Sequence, residues 1–168
     1  VTAHLLGGFT TLSLLWLLTL RLNNQRWQVP AISEARLLAL RKLAVLGLII
    51  VVCQIALGGW TTSNYADIAC PDFPRCQGAW LPPMDFANGF NIAQHVGPNY
   101  LGGVLDNDAR VTIHVMHRFG AIVTTAYLLF LFVRLRGLGT VPASRLSVVM
   151  LLVLAAQVML GISNIIFN

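Results

Sequence analysis

Asp108-Ala-Arg-Val-Thr-Ile-His-Val-Met-His-Arg-Phe-Gly-Ala121 opens an apolar run that continues to Val133. The run has the length and composition of a membrane-spanning helix, yet it holds two histidines and an arginine. Ionisable groups are costly in hydrocarbon, so they tend to face a bundle interior and mark a working site. His114 and His117 are three residues apart, about 60° around a helix, and therefore share a face. Gly120, Ala121 and Thr124 continue that face with small side chains, which let a flat ligand or another helix approach the backbone. Neutral imidazole is a common iron ligand, and an adjacent guanidinium suits a carboxylate such as a haem propionate. The plainer reading is a polar pair bonded across helices near the interface, with Arg118 reaching back to water. Both readings are open on this stretch alone.

The rest of the chain has the same character. Of its 168 residues, 57% are hydrophobic and only 10% charged, a composition outside the soluble globular range. It begins at Val1, at the edge of an apolar run, and ends at Asn168, directly after another, so it is expected to be an internal piece of a longer chain. Four apolar segments have spanning length: Ala3 to about Leu22, about Leu43 to Trp60, Val111 to Val133, and Leu146 to Phe167. The expected fold is an all-α integral membrane protein of four transmembrane helices, with a long loop over 61–110.

Charge sets an expected orientation. Arg21, Arg26, Arg36, Arg41 and Lys42 lie between the first two spans, and Arg134, Arg136 and Arg145 between the last two. The long loop has only Arg75 and Arg110. The positive-inside rule then puts both short loops in the cytoplasm, with the long loop and both chain ends outside. The net charge of +5 therefore belongs to membrane topology and not to nucleic-acid binding. In this orientation His4, His114 and His117 all lie near the outer end of their spans, and Gly7 and Gly8 leave room one turn below His4. Asp106 and Asp108 are expected to cap the third span, and Ser33-Glu34-Ala-Arg36 to start an inner extension of the second. Cys53 is expected to be a packed small apolar residue.

Two further patterns stand out. Gln54-Ile-Ala-Leu57-Gly58 and Gln157-Val-Met-Leu160-Gly161 repeat a Q-x-x-L-G signature at the outer end of an outward-running span. Each follows an inward-running span with an outer-side histidine, so the unit is a helix pair. In the loop, Cys70-Pro-Asp-Phe-Pro-Arg-Cys76 brings two cysteines close in an oxidising compartment, with prolines to bend the chain. They are expected to close as a disulfide, as a staple or as a redox-active pair. Trp60, Trp80, Phe86, Phe90 and Tyr100 suggest that part of the loop lies on the interface as a lid, with His95 inside it.

Three motifs together carry a family resemblance over the whole chain: Q-x-x-L-G-G-x-T from Gln54, A-C-P-D-F-P-x-C-x-G from Ala69, and L-D-N-x-A-R-x-x-I-H-x-x-H-R-x-G-A from Leu105. The sequence resembles haem A synthases of the proteobacterial type. The resemblance implies eight spans in two similar four-helix halves, of which this chain matches spans four to seven. Residues 1–42 would be the last span of the first half plus a linker, and 43–168 the first three spans of the second. It implies haem-ligating histidines, with His4 closing the first half and His117, before Arg118, opening the second. His114, hydrogen-bonded to a propionate or to loop backbone, and Arg118, turned toward the outer surface to meet a propionate, would complete the cofactor-binding set. It implies a haem b cofactor in the second half, haem O as substrate in the first, and oxidation of the haem O methyl group to the formyl group of haem A for cytochrome oxidase assembly. The partner histidines lie outside these four spans, so the spans alone are expected to be inactive. Haem O synthase and a second copy are the expected protein partners, and a bacterial inner membrane the expected site. The sequence names no electron donor.

Two other functions compete with this one. A quinone-linked thiol oxidoreductase would use Cys70 and Cys76 but leaves His4, His117 and Arg118 unexplained. A b-type cytochrome electron carrier needs histidines at both membrane depths, and these all sit at one.

Overall fold

The computed structural model describes residues 2–23, 34–93 and 104–167. The elements are α1 (Thr2–Leu22), α2 (Glu34–Ser63), a short 3-10 turn (Asp67–Ala69), α3 (Phe86–Gly89), α4 (Asn107–Arg136) and α5 (Val141–Ile166). The fold is all-α, and α1, α2, α4 and α5 are each long and apolar enough to cross a membrane. His95 and Tyr100 lie outside the described residues, as does Ser33 at the expected start of α2.

The helices outrun the apolar segments. α2 and α4 have 30 residues each, about 45 Å at 1.5 Å per residue, against a hydrocarbon layer of roughly 30 Å. α2 begins at Glu34, with its acid at the positive end of the helix dipole, and runs through its basic residues before it turns apolar. α5 begins at Val141, with Pro142 in its first turn, where a missing N–H costs nothing. At the start of α4 the expected cap is only half right. Asp106 occupies the N-cap with extended backbone, but its side chain makes no cap bond. Its carbonyl accepts from the Arg110 N–H at 3.1 Å, and Asp108 supplies the negative charge in the first turn.

Neighbours in space follow the order α1, α2, α4, α5. Lipid offers helices no hydrophobic reason to associate, so small residues and polar bonds do the work. Gly47 of α2 lets Tyr127 of α4 come close enough that an added Cβ would lie 3.1 Å from its ring. The Tyr127 hydroxyl then donates to the Leu43 carbonyl at 2.8 Å. Gly59 does the same for α1, whose Thr2 and Leu5 pack against it, and Thr2 and Ser63 share a hydroxyl bond of 3.0 Å. At the Arg-rich end, Arg36 donates to the Gly137 carbonyl at 2.7 Å and ties α2 to the α4–α5 turn.

Burial is concentrated at the opposite end, where the long loop folds over α4. Ala69, Cys70, Cys76 and Val111 form one cluster, next to fully buried Thr112 and Ile113. Most other large side chains are exposed, as lipid-facing helices require. Cys53 is one of these exposed residues and not the packed position expected. It lies on an α2 surface that no described element covers.

Candidate functional site

His117 sits on the α4 face that meets α2. The Gln54 side-chain amide nitrogen lies 3.1 Å from His117 Nδ1 and 3.1 Å from the His117 carbonyl oxygen. Gly58, one turn along α2, makes room for the ring: a Cβ there would be 3.2 Å from His117 Cε1. Gly120 makes room for the amide, because a Cβ there would run into Gln54 Oε1. The Q-x-x-L-G signature of α2 is therefore a seat for an imidazole. His117 Nε2 has no hydrogen-bond partner among the described residues, and Gln54 Oε1 is buried without one.

The second copy of the signature is different. Gln157 on α5 is exposed, and the space beside Gly161 is open. No imidazole among the described residues faces it.

His114, one turn nearer the loop, is buried and committed elsewhere. Its Nδ1 bonds the Ala66 carbonyl at 2.8 Å, just beyond the end of α2. Arg118 also turns to the loop. It donates through Nη1 to the Arg75 carbonyl at 2.7 Å, and through Nη2 to the Cys70 and Asp72 carbonyls at 2.9 and 3.0 Å. Its guanidinium lies 5.9 Å from the Phe73 ring centre. Its Nε–H is buried with no partner.

The loop that Arg118 holds is tightly built. Cys70 and Cys76 are paired as a disulfide with Cα atoms 4.7 Å apart. Gln77 and Gly78 both have positive φ, 54° and 77°, as a two-residue type I′ turn requires. That turn closes paired backbone bonds between Cys76 and Ala79 at 3.0 and 3.1 Å. The Gly78 N–H at 2.9 Å and the Gln77 N–H at 2.6 Å bond the Asp72 carboxylate. With the Gly78 bond leading, they hold its pKa below the usual value against opposing desolvation. The cysteines are legible in the sequence but this turn is not, because Gly78 is its one turn signal and Gln77 is an uncommon residue at positive φ. Further along, the Trp60 indole N–H donates to the Gly89 carbonyl at 2.8 Å, and the Asp85 N–H to Thr112 Oγ1 at 2.7 Å, so α3 is laid on the start of α4. Trp80 is exposed beneath the Arg75 guanidinium.

Cys70 is 0% and Cys76 3% exposed. An attacking thiolate needs access to a sulfur, so this burial favours a staple over an exchanging pair. A free-thiol count on denatured, non-reduced protein should find, in this region, Cys53 alone. Three free thiols here would refute the pairing.

His4 stands apart from the α4 histidines. It is exposed on α1 and has no hydrogen bond among the described residues. Gly7 and Gly8 beneath it face open space. Among the described residues, no group of three or more His, Cys, Asp or Glu side chains is arranged to hold a metal ion.

A model of the cytochrome oxidase assembly protein family, COX15-CtaA, matches residues 1–168. The chain is also 44% identical over 168 residues to a Shewanella oneidensis protein described as heme A synthase, across 100% of this chain and 49% of that relative. The chain thus spans about half the length of the curated relative it matches. No solved structure matches it.

Proposed function

The chain belongs to the family of cytochrome oxidase assembly proteins, and on that footing we propose that it is part of a haem A synthase. The reaction is oxidation of the haem O methyl group to the formyl group of haem A by successive hydroxylations. Haem b is the resident cofactor and haem O the substrate. Haem b, when bound, supplies the iron redox chemistry, and the protein's task is to hold, orient and shield.

The supporting observation is a pair of unfilled groups on adjacent residues. His117 Nε2 is a ring nitrogen without a hydrogen-bond partner, in an apolar helix. Arg118 Nε–H is a buried donor with no acceptor. Iron would satisfy the first and a propionate carboxylate the second, so the residues present fit a haem. His117 would hold the iron from α4. His114, buried and bonded to the Ala66 carbonyl, braces the loop, and its place in this reading is beside the haem and not on the iron. His4, above the open face of Gly7 and Gly8, would hold the substrate haem. Buried cysteines make the thiol oxidoreductase reading the weaker one.

Full-length protein made in cells that produce haem O but lack their own haem A synthase should yield extractable haem A. Extracts holding only haem O would refute the assignment.

The long loop faces the periplasm in this reading, and the Arg-rich segments face the cytoplasm. A cysteine at Leu138, in the α4–α5 turn, should resist an impermeant thiol reagent added to intact cells. Labelling there without permeabilisation would reverse the topology.

A further inference from the structure

The motif that seats His117 also has a chemical consequence. As placed, the Gln54 amide donates to His117 Nδ1, so Nδ1 carries the lone pair and Nε2 the proton. That tautomer has no lone pair for a metal at Nε2. The one that binds through Nε2 has its proton on Nδ1, and this N–H needs an acceptor. Gln54 Oε1 is at hand, buried and without a partner. Turning the amide about its Cγ–Cδ bond brings Oε1 to Nδ1–H and sends the NH2 group into the space left by Gly120. The His117 carbonyl gives up the amide bond of 3.1 Å and keeps its place in the α4 backbone ladder, and the amide must tilt toward the ring so that Oε1 clears that carbonyl oxygen.

We propose that Gln54 is the positioning residue for His117, and that its amide selects which ring nitrogen is free to bind iron. One orientation holds the ring in the non-ligating tautomer, and the other supports ligation through Nε2. Gly58 and Gly120 belong to the same device, because a side chain at either would displace the ring or block the amide. The inference rests on the reading of His117 as a haem ligand.

The test uses purified full-length protein and reads haem retention and reduction potential. Gln54→Met keeps the length of the side chain and removes the acceptor. It should weaken haem binding by about 10–100-fold, the usual cost of losing the outer partner of a ligating histidine. The remaining haem should have a raised reduction potential, because an unbonded Nδ1–H makes the imidazole a poorer donor to ferric iron. Gln54→Glu restores an acceptor. It should keep haem bound, with a potential at or below that of the unaltered protein. A loss confined to helix packing would affect both variants alike. Equal retention and potential in Gln54→Met and the unaltered protein would overturn the proposal, as would equal loss in both variants. His117→Ala separates the layers. If it leaves the haem spectrum intact, the ligand reading fails and this inference with it. If it removes the haem while Gln54→Met changes nothing, only this inference fails.

Discussion

His117→Ala should remove the low-spin haem b spectrum from the full-length protein, while His114→Ala should leave a bound haem with an altered potential. The two histidines are one turn apart on one helix face, so sequence spacing hardly separates them. Their partners do. His114 is 4% exposed and bonded to the Ala66 carbonyl. Its truncation leaves a buried acceptor without a partner, a cost of about 1–3 kcal/mol at the α2–loop junction. The loop would loosen without loss of an iron ligand. His117 has one ring nitrogen held by Gln54 and the other unpartnered. Its truncation removes the imidazole that Gln54, Gly58 and Gly120 seat between α2 and α4. If His114→Ala strips the haem and His117→Ala does not, the roles are exchanged. If neither changes the spectrum, α4 carries no ligand.

The four spans and the histidine face were legible because each depends on local pattern: apolar length for the spans, helical period for the face. The helix ends were not, because hydropathy sees only the part of a helix that lies in lipid. The polar turns at Glu34–Lys42 and Asn107–Arg110 continue the helix beyond it. The Q-x-x-L-G signature was visible as a repeat, but its purpose was not. What faces Gln54 depends on the register between α2 and α4, and that register is set by close approaches at Gly47 and Gly58. The two glycines show where α2 leaves space, but not which α4 side chain fills it. Adjacency to His117 suggests Arg118 as a propionate partner but says nothing of the loop, whose carbonyls take both Nη groups and leave Nε–H over. That placement depends on how the loop folds back across 43 to 48 residues of sequence separation, which no local pattern records.

The same placement makes Arg118 the second residue whose loss should be large. Its planar fork reaches three carbonyls across the Cys70–Cys76 turn. Lysine keeps the charge but offers one compact ammonium, which cannot meet all three. Hydrogen bonds to charged groups are worth about 1.5–3 kcal/mol each but are not additive. A loss of about 3 kcal/mol for Arg118→Lys is therefore a fair expectation, or on the order of 100-fold in the population of the opened loop. The disulfide reports that opening, because its sulfurs belong to nearly fully buried residues and a reductant must wait for the loop to lift. In detergent-solubilised full-length protein, Cys70 and Cys76 should be reduced by a mild thiol on the order of 100-fold faster in Arg118→Lys than in the unaltered protein. Alkylation and mass analysis of the loop peptide would read the rate. His114→Ala should speed the same reduction more weakly, since it removes one loop bond where Arg118→Lys disturbs three. An unchanged rate in Arg118→Lys would mean that the disulfide turn stands on its own bonds, between Asp72 and the Gln77 and Gly78 N–H groups, and that α4 does not hold it down.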